Sequence, residues 1–270
     1  MQTVKRDLRG DDASYTGDVK ILPLADFHIG DPNADTALIQ RLLSLVAETP
    51  HMYTILNGDL MNTAITSSVS DSYDEQMKPA EQLKRCVELF GPLAEQGKIL
   101  GITDGNHERR ITRNVGVDMT ELLATQLGLA DAYSAGDIVL FLSVGANKAN
   151  TKRKNAPHRP FFYTVFARHG AGGGAMKGGK VNRLQRFSDV ADADVYIGSH
   201  THDDIIFHDA IYRTDRQHGK VSLCDRTYVN TPSALNYGGY GEVGGFRPQS
   251  NRHWPVITLH GDSQLVTVES

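Results

Sequence analysis

Five short clusters in this 270-residue chain carry cation-binding residue types: Asp26-Phe-His28, Gly58-Asp59, Gly105-Asn106-His107-Glu108, His169-Gly170 and His200-Thr-His202. Each is expected where a strand runs into a loop. There, His200 and His202 project to the same side, because alternate residues of an extended chain share a face. In open α/β sheets ligands bind beyond the carboxyl ends of the strands, so the clusters would gather in one place. Together they offer carboxylates, imidazoles and one amide. Such mixed N/O donors suit Mn, Fe, Zn or Ni better than Ca or a thiolate-bound metal. The donors are enough for a pair of ions, and a pair about 3.5–4 Å apart needs a bridging carboxylate and clamps an in-line displacement at phosphorus. Each cluster alone is weak: Asn106 would serve as a helix cap, and His169 as a turn residue. The order and strand-end placement of all five together carry the reading.

The elements that must position them are legible as apolar runs. Residues 19–25, 52–56 and 99–103 read as buried strands, each ending at one of the first three clusters. Residues 36–48 have helical spacing at Leu38, Leu42, Leu45 and Val46. Leu83, Cys86, Val87 and Phe90 mark a second helix, expected to break at Gly91-Pro92. This alternation implies parallel βαβ units. The second half reads as strands at 138–144, 161–168, 195–198, 205–212, 221–229 and 256–260, with few helices between. The expected build is a single domain over 1–270, a β-sandwich with helices outside. The Ser/Thr-rich segment 62–77 is read as a lid over the site, and 231–255 as a Gly/aromatic-rich loop.

The ordered set Asp-x-His, Gly-Asp, Gly-Asn-His-(Asp/Glu), His and (Gly)-His-x-His resembles the calcineurin-like metallophosphoesterase family over roughly residues 19–205. The resemblance implies an α/β fold: a four-layer α/β/β/α sandwich of two mixed sheets flanked by helices. It also implies that Asp26, His28 and His202 hold one divalent ion, that Asn106, His169 and His200 hold another, and that Asp59 bridges them. Mn²⁺ is the first expectation, with Fe, Zn or Ni as alternatives. His107 would be the catalytic histidine at the leaving-group oxygen, oriented by Glu108 or Asp26. The implied activity is hydrolysis of a phosphate ester by a hydroxide generated at the metals. One departure is Ser199, where the family usually has Gly; it removes no donor.

Rival motifs fit less well. Residues 174–180 match Gly-x4-Gly-Lys, but Val181 stands where a P-loop needs Ser or Thr for Mg²⁺. That segment, 172–179, is read as a flexible loop, with Lys177, Lys180 or Arg183 reaching substrate phosphate. His107-Glu108 opens like a zincin helix, but Ile111 replaces the second histidine. Gly58-Asp-Leu-Met-Asn-Thr-Ala64 departs from the protein phosphatases' Gly-Asp-x-Val-Asp-Arg-Gly. A phosphomonoesterase and a non-catalytic metal-binding scaffold remain the alternatives.

The substrate signals are sparser. Lys152-Arg-Lys154, His158 and Arg159 form a basic loop able to touch a nucleic-acid backbone. Tyr237, Tyr240, Phe246 and Trp254 lie among glycines and could stack on bases. They favour a nucleotide or nucleic-acid phosphodiester, such as DNA, with a repair-type nuclease as one alternative and a phage-type phosphoesterase as another likeness. The net charge of −4 gives no overall nucleic-acid or membrane footprint. Two cysteines make no disulfide framework. The N-terminus lacks a signal-peptide core, and no run approaches about 20 apolar residues. A cytoplasmic protein with no membrane partner is expected.

Overall fold

The computed structural model describes residues 1–10, 13–66, 68, 75–147, 159–174, 176–239, 242, 247, 248 and 250–270. Most of the expected lid's tip, the basic loop up to His158, and Tyr240 and Phe246 lie outside the described residues.

Among the described residues, twelve strands and five helices run β1 (Gln2–Asp7), β2 (Val19–Leu24), α1 (Thr36–Glu48), β3 (Met52–Asn57), α2 (Pro79–Glu95), β4 (Ile99–Thr103), α3 (Asn106–Val115), α4 (Met119–Gln126), β5 (Tyr133–Ser134), β6 (Ile138–Asn147), β7 (Arg159–Ala167), α5 (Lys177–Gln185), β8 (Val195–Gly198), β9 (Ile205–Asp215), β10 (Lys220–Asn230), β11 (Val256–Leu259) and β12 (Val266–Glu269). They form two six-stranded sheets, β1-β6-β7-β8-β10-β9 and β12-β11-β2-β3-β4-β5. Both are mixed: β2, β3, β4 and β5 pair in parallel, as do β7, β8 and β10, while β11 and β9 pair antiparallel to their neighbours.

Alternation along the strands builds the layers. In β2, Ile21 faces the other sheet with Ile55, Leu140 and Val165. Leu22 and Leu24 face the opposite way, joining Ile39 of α1 and Phe90 of α2. On the far side, Leu184 of α5 and Phe187 pack with Phe166, Tyr196 and Tyr228. The order is α/β/β/α, the expected sandwich. Among the described residues, no helix is long and apolar enough to cross a membrane.

Two local expectations differ. α2 runs through Gly91-Pro92 to Glu95. The proline costs about 3 kcal/mol in a helix interior, but Phe90 and Leu93 are buried on either side of it. Each such burial is worth about 1.5–3 kcal/mol, which offsets the proline. Likewise Gly178 and Gly179 lie inside α5 rather than in a loop. The buried Leu184 and Lys180 hold that helix against the sheet despite poor glycine propensity.

Candidate functional site

The parallel ladder continues past the strand ends. Asp26 N–H donates to Gly58 O (3.1 Å), His28 N–H to Asp59 O (3.0 Å) and Ser199 N–H to His169 O (3.0 Å). Within these extensions the backbone turns left-handed at residues that are not glycine: Asp26 (φ 52°), His28 (46°), Asp59 (49°), His200 (67°) and His202 (56°). Such conformations cost about 1–3 kcal/mol each and persist only where the surroundings over-determine them. That five expected donors share this strain marks the place where side-chain aim outweighs backbone comfort.

The glycines of two clusters make the close approach possible. A Cβ on Gly105 would lie 2.1 Å from Asp59 N, and one on Gly58 2.8 Å from Gly105 Cα. The β3 and β4 turns therefore touch backbone to backbone, which carries Asp59 up to Asn106 and His107. A buried polar net ties the two sheets together beneath them. Asn57 donates through Nδ2 to Ser199 Oγ (2.7 Å) and to Arg168 O (3.1 Å), and accepts from Thr103 Oγ1 (2.8 Å). Ser199 also accepts from Thr231 Oγ1 (3.0 Å), so the hydroxyl that departs from the family pattern closes this net.

The donor atoms converge in three overlapping groups, each within 4.8 Å: Asp26–His28–His202, His28–Asp59–His107 and Asp59–His169–His200. His202 Nε2 is 3.3 Å from Asp26 Oδ1 and 3.3 Å from His28 Nε2. Asp59 Oδ2 is 3.1 Å from His169 Nε2, whose other close neighbour is Asn106 Oδ1 at 3.2 Å. His200 joins through its backbone N–H, which donates to Asp26 Oδ2 at 3.0 Å.

The electrostatics suit a cation. Burial pushes His28 well below the ordinary imidazole value and lowers His107 and His200, leaving lone pairs on these rings at neutral pH. Burial also disfavours charge on His169, but the carboxylate of Asp59 outweighs it and lifts this ring to about 10. Burial works against ionised Asp59 too, and the adjacent histidines override it and hold its carboxyl well down. Asp26 Oδ1 is buried with no hydrogen-bond partner, a group expensive to leave unpaired. An orphaned carboxylate oxygen facing imidazole nitrogens fits a divalent ion with mixed N/O ligands.

His107 is held from behind. Its Nδ1 lies 2.9 Å from Asn62 Oδ1 and 3.0 Å from Asn62 O. The Asn62 amide donates in turn to Glu75, which also receives Gln82 Nε2. The orienting partner of His107 is thus Asn62, missed in the sequence although it stands three residues after Asp59. Neither Glu108 nor Asp26 does this. The Glu108 carboxylate accepts from Asp59 N–H (3.1 Å) and Met61 N–H (2.8 Å), fixing the turn that aims Asp59.

Burial, then the charges of Asp59 and Asp104, push Glu108 from 4.5 up to about 8. A carboxyl whose folded value is raised contributes stability below its unfolded value and loses it as pH rises through the folded one. Metal-free protein should therefore lose thermal stability between about pH 4.5 and 8. The Glu108→Gln variant should melt lower but with a flatter pH profile. Equal slopes for both proteins would remove this account of Glu108.

The donors His28, Asp59, Asn106, His107, His200 and His202 all line one cavity of about 410 Å³, with Arg110, Lys180 and Tyr237. Of the three expected phosphate contacts, only Lys180 reaches it. Its ammonium donates to Thr201 O (2.9 Å) and pairs with Asp203 (2.5 Å), anchoring the loop that carries His200 and His202. Lys177 is exposed near Asp204, and Arg183 donates to Gly172 O at 2.6 Å. Arg110 had no sequence signal beyond lying one helical turn after His107.

Fold and donor set together define a two-sheet α/β sandwich with a candidate divalent-metal centre. No family model and no curated protein matches the chain. Among solved structures it is similar to a phosphoesterase from E. coli, Yfce, at 16% identity, covering 93% of this chain and 98% of that one, TM-score 0.40. It is similar to a metallophosphoesterase from Sphaerobacter thermophilus at 13% identity, covering 93% and 87%, TM-score 0.37. It is also similar to the nuclease MPE from Pseudomonas putida at 13% identity, covering 92% and 86%, TM-score 0.34.

Proposed function

We propose that this protein is a metal-dependent phosphoesterase that hydrolyses a phosphodiester. The observation that carries the reading is the convergence of strained strand-end donors around the orphaned Asp26 Oδ1. Asp26, His28 and His202 would hold one divalent ion, Asn106, His169 and His200 a second, and Asp59 both, with Mn²⁺ the first choice. When bound, such a pair supplies Lewis-acid charge and an activated water.

The chain's own residues do the rest. Asn62 fixes the His107 ring so that Nε2 faces the donor cluster, 3.8 Å from Asp59 Oδ2. There Nε2 would take up a proton given up by the attacking water and hand it to the departing oxygen as the P–O ester bond breaks. The water oxygen remains on phosphorus, giving a phosphomonoester and an alcohol. Arg110, half-buried in the same cavity, would neutralise phosphate charge.

The test is Mn²⁺-dependent hydrolysis of bis-p-nitrophenyl phosphate beside p-nitrophenyl phosphate. Faster cleavage of the diester is expected. Preference for the monoester would make the protein a phosphatase, and inactivity on both with metal bound would favour a binding role.

A further inference from the structure

A second cleft, of about 630 Å³, adjoins the donor cluster on its other side, and Asn106 lines both cavities. Five arginines and three aspartates line it, in a chain whose net charge is −4. Two of the arginines are spoken for by buried or half-buried partners. Arg168 grips Asp137 through two bonds of 2.5 and 2.7 Å, and Arg109 reaches Asp104 at 3.2 Å. Of the remaining three, Arg183 donates to the neutral carbonyl of Gly172, Arg113 is exposed at the cleft, and Arg186 faces Asp189. That carboxylate is 4.0 Å from Arg186, and both side chains are more than two-thirds exposed, so the pair neutralises little.

We propose that this cleft is a subsite for the phosphate backbone of a single-stranded nucleic acid whose scissile phosphodiester lies at the donor cluster. The inference rests on the phosphodiesterase reading and adds its substrate class. A mononucleotide is served by the first cavity and has no use for arginines beyond Asn106 and His169. A strand crossing the donors has phosphates on both sides. One flank meets Arg110; the other meets Arg113, Arg183 and Arg186. Guanidinium groups suit this task because their fixed fork matches phosphate oxygens. A positive groove that tracks the backbone is the usual mode of sequence-tolerant strand binding.

The test uses the full chain and fluorescein-labelled dodecathymidylate. Binding is read by anisotropy in EDTA across a salt series, so it does not depend on turnover. Arg113 and Arg186 both stand exposed at the cleft, so replacing them spares the core. The Arg113→Ala/Arg186→Ala variant should bind about tenfold more weakly. Its slope of log affinity against log salt should fall by about 1.4, at about 0.7 per phosphate contact on a single strand. In Mn²⁺, the ratio of kcat/KM for the oligonucleotide to that for bis-p-nitrophenyl phosphate should fall by a similar factor. An unchanged slope and ratio, or wild-type binding of the oligonucleotide no tighter than of thymidine monophosphate, would overturn the subsite. Inactivity of wild type on bis-p-nitrophenyl phosphate would overturn the phosphodiesterase reading instead, while the EDTA binding still decides the cleft.

Discussion

Asp59→Asn should lower hydrolysis of bis-p-nitrophenyl phosphate by at least about a thousand-fold, roughly 4 kcal/mol of transition-state stabilisation, while leaving the fold intact. The asymmetry between the two carboxylate oxygens is the reason. Oδ1 accepts from His107 N–H at 2.8 Å, a bond the asparagine carbonyl can keep. Oδ2 faces His169 Nε2 at 3.1 Å and His107 Nε2 at 3.8 Å, within the cation-binding groups. An amide NH₂ there brings neither negative charge nor a lone pair. On the proposed reading, the change therefore removes the ligand shared by both ions without opening a cavity. Metal content by plasma mass spectrometry should fall with the rate, and in EDTA the variant should still unfold cooperatively, at a melting temperature lowered by loss of the Asp59–His169 pair. A variant with full metal content and full turnover would disprove the bridging role of Asp59.

The donor set was legible in the sequence because metal chemistry allows few residue types and the β/α order fixes where they stand. The buried strands were legible for a similar reason: runs such as Ile99–Thr103 are buried throughout. Edge elements were not. In β1 only Val4 is buried, so its charged residues carry no strand signal, although it pairs with β6 along its whole length. β12 alternates half-buried and exposed residues and is just as quiet. The short helix α4 also escaped notice. The support behind the site was hidden for another reason. Glu75, Gln82 and Asn62 meet through the tertiary fold, and no spacing announces that a glutamate sixteen residues after Asp59 holds the amide that holds His107. Lys180 has a structural task that the sequence did not announce. Its position after glycines suggested a phosphate contact, whereas the packing of α5 turns it onto Asp203 and Thr201.

The left-handed donors should make the site sensitive to changes in the residues around it. Five such residues cost about 5–15 kcal/mol together, comparable with the whole stability of a typical domain. The Asn57–Ser199–Thr231 net, the Glu108 carboxylate and the Gly58–Gly105 contact all act at this end of the sheets. They hold backbone that the donors themselves would let go.

His107→Ala should retain its metals and lose turnover, by about 10²–10⁴ where the leaving group needs a proton. Both atoms near Nδ1, Asn62 Oδ1 and Asn62 O, are acceptors, so Nδ1 carries the hydrogen of the neutral ring. Nε2 is then the atom free to take up and give away a proton. It lies in the donor cluster, where the His107 and His28 rings meet edge to face at 4.3 Å. Burial lowers the basicity of His107, which makes the protonated ring a better acid towards a departing alkoxide. p-Nitrophenolate leaves without that help, whereas an aliphatic alcohol such as the 3′-hydroxyl of a nucleotide does not. The loss should therefore be steep for a dinucleotide and shallow for bis-p-nitrophenyl phosphate. Asn62→Ala should show the same pattern more weakly, because Nδ1 loses the side-chain acceptor at 2.9 Å but keeps the Asn62 backbone carbonyl at 3.0 Å. A structural role for His107 would slow both substrates equally and shed metal. The split between the two leaving groups, with metal content unchanged, is the result that separates proton transfer from support.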